Sequence, residues 1–204
     1  SIGADAALIV VPYYNKPTQE GVYQHFAHLN AITKIPLIAY NVPGRTVIGV
    51  ESATYLRIAQ LESVIACKHA VDSVSSLVSL SSICNKEEFS MMAGDDPIFY
   101  GSLCHGGTGV ISASSNVILE EMLEIYSSFT SGKQDAALAV QRSIAKAIEL
   151  FFSETNPAPV KTALKAMGHI SSDSVRLPLV ATSEGLSNQL YELFASSDRD
   201  RKKA

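Results

Sequence analysis

The chain has 204 residues, 47% of them hydrophobic and 18% charged, which is enough for one sizeable folded domain and too apolar for a disordered one. A net charge of -4 at pH 7 argues against nucleic acid as the main partner, because phosphate binding needs a basic face. No apolar run approaches the roughly 20 residues that cross a bilayer, so no membrane span is expected. The only basic cluster, Arg199–Lys203, reads as a solvated tail. Cys67, Cys84 and Cys104 are odd in number and scattered, which fits reduced thiols in a cytoplasmic protein better than a disulfide frame or a zinc site.

Short apolar runs alternate with amphipathic segments. Ala6–Val11 is predicted to be the first strand, and Thr18 caps a helix with Val22, Phe26 and Leu29 on one face. Pro36–Tyr40 is a second strand, followed by a Pro43-Gly44 turn and a helix over 51–60 carrying Tyr55, Leu56 and Ile58. Ser63–Lys68 is a third, followed by a helix over 72–84 with Val74, Leu77, Val78 and Leu80 inward. Phe89–Ala93 and Gly109–Ser112 are the fourth and fifth. Continuous apolar character predicts strands buried on both faces, as in parallel sheets.

Beyond the fifth strand the pattern is helical. Ile118, Met122, Ile125 and Phe129 mark one face, and Val140, Ile144, Ile148, Phe151 and Phe152 another. Pro159 opens a further helix that Gly168 closes, and Leu186, Leu190, Leu193 and Phe194 define the last. The alternation fits both a (β/α) barrel and a doubly wound open sheet. The expected division is a partial barrel over residues 1–130 and a helical region over 131–204.

Chemistry-bearing residues cluster after the strands. Lys68 ends the third strand, and alternation places Val64, Ala66 and Lys68 on one side. A lysine in apolar surroundings loses charge more readily and can attack a ketone as the neutral amine. Tyr40 ends the neighbouring strand, where a phenol can relay protons. Arg45 suits a substrate carboxylate. Tyr13 and Tyr14 lie between two prolines in the loop after the first strand. Asp95 and Asp96 read best as caps of the next helix. The five histidines show no HxxxH spacing, and no metal cluster is expected. Gly106-Gly107-Thr108-Gly109 reads as a tight helix-to-strand turn. Taken singly, each of these residues has an ordinary structural explanation, above all a lysine just past a strand.

In combination they are specific. Val11-Pro12-Tyr13-Tyr14-Asn15-Lys16-Pro17, Tyr40-Asn41-Val42-Pro43-Gly44-Arg45-Thr46 and Cys67-Lys68-His69-Ala70 resemble three segments of the dihydrodipicolinate synthases. Ala93-Gly94-Asp95-Asp96, Gly106–Ser112, Asn156–Lys161 and Arg176–Leu179 are similar to others, so the resemblance covers about residues 1–194. It implies an α/β fold of the (β/α)8 TIM-barrel type, represented here by about strands 4–8 and followed by a C-terminal helical region. It further implies that residue 1 falls near the fourth strand, after a Thr-Thr-Gly-Glu-like loop, and that residues 1–204 alone do not form an active barrel.

The resemblance implies a pyruvate-dependent lyase with no cofactor and no metal. Lys68 would form the imine with pyruvate, Tyr40 would donate and accept protons, and Tyr14 would reach into a partner subunit's site. Arg45 would hold the carboxylate of aspartate semialdehyde, and Ile111 would touch pyruvate through its backbone. A homotetramer built as a dimer of dimers is expected. His69 departs from the family, which commonly has an acid there, and it implies an altered hydrogen-bond network. The alternatives are an N-acetylneuraminate lyase, a keto-deoxy sugar acid aldolase, or an inactive barrel serving as a binding module.

Overall fold

The computed structural model describes residues 3–84 and 88–195; the basic run Arg199–Lys203 lies outside the described residues. The chain divides into two compact units, Ser1–Ile111 and Ser112–Ala204.

The first unit follows a βα rhythm. Strand β1 (Ala7–Val10) leads to helix α1 (Gln19–Ile32), and β2 (Leu37–Asn41) to the short α2 (Pro43–Thr46) and α3 (Ser52–Ile58). Strand β3 (Val64–His69) precedes α4 (Val74–Ser81), and β4 (Ser90–Ala93) precedes a 3-10 turn at Asp96–Ile98, α5 (Phe99–Cys104) and β5 (Gly109–Val110). The five strands form one sheet in chain order, and every neighbouring pair is parallel. Parallel neighbours cannot be joined by hairpins, so each link must cross back as a helix. All strand C-termini therefore lie at one end of the sheet.

One sheet face is packed on the helices. Leu37, Ala39, Val64, Cys67 and Met91 form a single core with Val22 and Phe26 of α1, Tyr55 and Ile58 of α3, and Leu77 and Leu80 of α4. The Thr18 hydroxyl caps α1 by accepting from the Gly21 N–H at 3.2 Å, as the sequence leads one to expect. Three expectations change. Strand β2 alternates buried and half-buried residues, so burial on both faces does not hold among the described residues. Val64 joins the helix-side core with Cys67 and does not face the same way as Lys68. The register slips there, with Leu37 opposite Val64 and Ile38 opposite Ala66, and one extra residue reverses the side-chain direction. Val74 and Val78 are exposed on α4, where only Leu77 and Leu80 are buried.

The Gly106-Gly107 turn has a steric basis. Gly106 adopts φ +87°, and a Cβ on Gly107 would lie 2.8 Å from the Ser102 carbonyl oxygen. In the second unit, a 3-10 turn at Ser114–Asn116 precedes α6 (Leu119–Thr130), α7 (Gln134–Ser143), α8 (Ala145–Phe152), α9 (Ala158–Ala166) and α10 (Glu184–Phe194). The single face expected for Val140 to Phe152 is divided between α7 and α8, with Ile144 as the joint. Phe151 is buried and stacks on Phe194 at 5.5 Å, whereas Phe152 points outward. Among the described residues, no helix is long and apolar enough to cross a membrane.

Candidate active site

Tyr40 and Lys68 are register partners at the C-terminal ends of β2 and β3. Partners in a parallel ladder point to the same side. The Lys68 Nζ accordingly sits 4.3 Å from the centroid of the Tyr40 ring. Burial lowers the Lys68 pKa below its ordinary value. The anionic Asp96 and Asp95 oppose that shift, and the Arg45 guanidinium adds to it. Burial raises the Tyr40 pKa; Arg45 pulls it down and Asp95 pushes it up. The pair therefore unites an amine that gives up its proton more easily than usual with a phenol that keeps its own. Both shifts run in the direction that a carbonyl addition favours.

Arg45 is exposed within α2, and its charge is felt by Tyr40, Lys68 and Asp95 alike. The turn expected at Pro43-Gly44 is in fact one helical turn, closed by the Val47 N–H donating to the Pro43 carbonyl at 2.8 Å. Asp95 precedes the 3-10 turn without making a side-chain cap, contrary to the capping expectation. Its carboxyl is held above the usual carboxylate range, first by burial and then by Asp96 and Asp72. Sequence reasoning missed Asp95 as a member of this electrostatic group. Only the adjacency of the β3 and β4 ends, with Lys68 opposite Met92 and His69 opposite Ala93, brings it there.

Tyr14 is 88% exposed and makes no hydrogen bond or ring contact with Tyr40 or Lys68 within the chain. Its backbone adopts φ 57° and that of Lys16 φ 46°, a left-handed region costly for such side chains. Among the described residues, Tyr13 and Tyr14 are both exposed and form no packed aromatic corner. Ile111 follows β5, and its N–H donates to the Ala93 carbonyl at 2.9 Å.

His69 faces the opposite side of β3 from Lys68, as alternation requires, and is 3% exposed. Its ring contacts Asn41, Tyr55 and Ser76, and burial lowers its pKa to about 4. Among the described residues, no group of three or more His, Cys, Asp or Glu is arranged to hold a metal ion.

Comparison with known proteins identifies the family and the fold. The dihydrodipicolinate synthetase family model matches residues 1–196. The chain is 41% identical over 181 residues to the 4-hydroxy-tetrahydrodipicolinate synthase of Syntrophobacter fumaroxidans, covering 89% of this chain and 62% of that protein. It therefore spans less than two thirds of that relative's length. The crystal structure of dihydrodipicolinate synthase from Thermotoga maritima superposes with a TM-score of 0.91 at 38% identity, over 97% of this chain and 67% of that one. The chloride-inhibited enzyme of Acinetobacter baumannii complexed with pyruvate gives 0.89 at 36% identity, over 97% and 67%. The five parallel βα units thus belong to a TIM-barrel fold, with strand C-termini at the functional end. By sequence pattern and by structure, the chain belongs to the dihydrodipicolinate synthetase family.

Proposed function

We propose that this chain carries the Schiff-base half of a 4-hydroxy-tetrahydrodipicolinate synthase site, condensing pyruvate with aspartate semialdehyde in lysine and diaminopimelate biosynthesis. The observation that supports it most is the Lys68 ammonium poised 4.3 Å over the Tyr40 ring, with its pKa lowered by burial. The neutral Lys68 amine attacks the pyruvate ketone; water leaves and an imine forms. Loss of a methyl proton gives the enamine, whose carbon adds to the aldehyde. The amino group of the second substrate then closes the ring onto the imine carbon and releases the Lys68 amine.

Tyr40, with its phenol kept protonated, moves protons at the imine nitrogen and the new alkoxide. Arg45, exposed and cationic, binds the carboxylate of the incoming aldehyde. The Ile111 carbonyl borders the pyruvate. Tyr14, presented to solvent on its strained loop, reaches into the site of a neighbouring subunit, within a homotetramer made of two dimers. The reaction as written needs no cofactor and no metal, and we place the protein in the cytoplasm.

Borohydride reduction in the presence of pyruvate tests the reading. The full-length protein should gain one pyruvate-derived adduct on the peptide containing Lys68, and Lys68→Ala should gain none. An adduct on another lysine, or turnover of N-acetylneuraminate or a keto-deoxy sugar acid in place of aspartate semialdehyde, would redirect the assignment.

A further inference from the structure

Behind the Tyr40–Lys68 pair lies a second pair in the same ladder. Asn41 is the register partner of His69, as Tyr40 is of Lys68. Both members are buried, Asn41 at 2% and His69 at 3% exposure, on the helix side of the sheet. The His69 Nε2 lies 2.9 Å from the Ser76 Oγ of α4. The His69 Nδ1 lies 3.5 Å from the Asn41 Nδ2 and 3.4 Å from the Tyr55 hydroxyl of α3. One ring thus joins β2, β3, α3 and α4 at the level of the reactive lysine.

The hydrogen-bond directions leave one consistent assignment. The Ser76 hydroxyl donates its only proton to the Ser73 carbonyl at 2.8 Å, so it can only accept from the imidazole. The proton is then on Nε2, and Nδ1 is an acceptor. The Asn41 Oδ1 accepts the Val50 N–H at 3.1 Å, which fixes the Asn41 amide with its NH2 group toward Nδ1. The Tyr55 hydroxyl supplies a second donor to the same nitrogen. A protonated imidazole would turn Nδ1 into a donor facing a donor, in a site closed to water. The contacts to Nδ1 are long, so their value is as a pair that fixes one orientation rather than as strong single bonds.

We propose that His69 is a positioning residue, whose neutral, Nε2-protonated ring locks the β2–β3 register through Asn41 and so holds Tyr40 against Lys68. The inference rests on the Schiff-base reading for its chemical consequence, but not for its geometry. The contact that matters is the one from Nδ1 toward β2, while the one to Ser76 sets the tautomer.

Two substitutions separate these roles. In His69→Asn the side-chain amide ends near the place of Nδ1 and can still accept from Asn41 and Tyr55, but it cannot reach Ser76. In His69→Gln the amide reaches Ser76, and a methylene replaces the acceptor facing β2. Thermal melts of both full-length variants give the purely structural cost. Two functional readouts follow. One is the rate of borohydride-trappable imine formation at saturating pyruvate. The other is the rate of Lys68 acetylation by acetic anhydride, which requires no pyruvate chemistry.

With similar melting temperatures, His69→Gln should form the imine about tenfold more slowly than His69→Asn, since misplacement by about an ångström costs up to ~100-fold. Its Lys68 acetylation rate should differ from wild type by about threefold or more, and that of His69→Asn by less, because the amine's burial sets its pKa. Equal rates for the two variants in both readouts would overturn the proposal. If wild-type Lys68 never traps pyruvate but the acetylation contrast holds, the positioning role stands and the functional reading falls. Should His69→Gln fail to fold, Asn41→Ala removes the β2 donor to Nδ1 itself. It should slow imine formation and alter acetylation in the same sense, and wild-type values in both would refute the role.

Discussion

Gly94→Ala places a methyl group where the backbone of the neighbouring strand already lies. A Cβ on Gly94 would sit 2.7 Å from the Ala70 Cβ and 2.8 Å from the Ala70 nitrogen. Carbon atoms rest about 3.5 Å apart or more, so the strand ends must part by about 0.8 Å. Neither side can yield freely. The Ala70 N–H is held by the Asn41 carbonyl at 2.9 Å, and the Gly94 N–H by the His69 carbonyl at 2.8 Å. The displacement would fall two residues from Lys68 and one from Asp95. Overpacking of this kind costs about 1–3 kcal/mol. A shift near one ångström at a reactive group lowers rates by up to about 100-fold. The matched control is Gly44→Ala, where the added carbon has nothing within 4 Å. Both full-length variants should be melted and assayed for pyruvate trapping and condensation. Gly94→Ala should melt lower by about 2–4 °C per kcal/mol lost and trap pyruvate at least about tenfold more slowly than the control. If Gly94→Ala matches Gly44→Ala in both measurements, the close approach of the β3 and β4 ends does not constrain the site.

Tyr40→Phe should leave the melting temperature near wild type and slow turnover by on the order of 10²–10⁴-fold, the range for an acid–base group; unchanged turnover would make Tyr40 a packing residue. Mixing two inactive full-length variants, Tyr14→Phe and Lys68→Ala, should restore some activity after subunit exchange if Tyr14 acts across an interface. No recovery, with exchange shown independently, counts against that role. The His69 ring, with a folded pKa of about 4 against 6.5, binds its proton less readily when folded than when unfolded. Stability should therefore fall as pH drops from about 6.5 to about 4, by up to about 3 kcal/mol from this group. His69→Asn should lose less melting temperature than wild type between pH 7 and pH 4.5, and an equal loss would show that other groups control the acid response.

The elements were legible wherever a local rule governs them. Apolar runs bounded by turns marked all five strands, because a strand that packs on helices must be apolar at alternate positions. Thr18 announced the start of α1, and Gly168, at φ +78°, the end of α9, because caps depend on a few neighbouring atoms. The motif order around Tyr40, Arg45 and Lys68 was enough to point to the family.

The tertiary structure decided what depends on partners distant in the chain. The direction of Val64 turns on a register slip against β2, which alternation within β3 alone cannot reveal. Asp95 reads as a cap until the β3 and β4 ends meet beside Lys68 and its carboxyl shares their field. Tyr55 reads as one more apolar residue on a helix face. Its hydroxyl acquires a role only when α3 lies against β3, with the His69 ring between α3 and α4. Hydrophobic periodicity is a property of neighbours along the chain, whereas a pKa or a tautomer belongs to groups that only folding brings together.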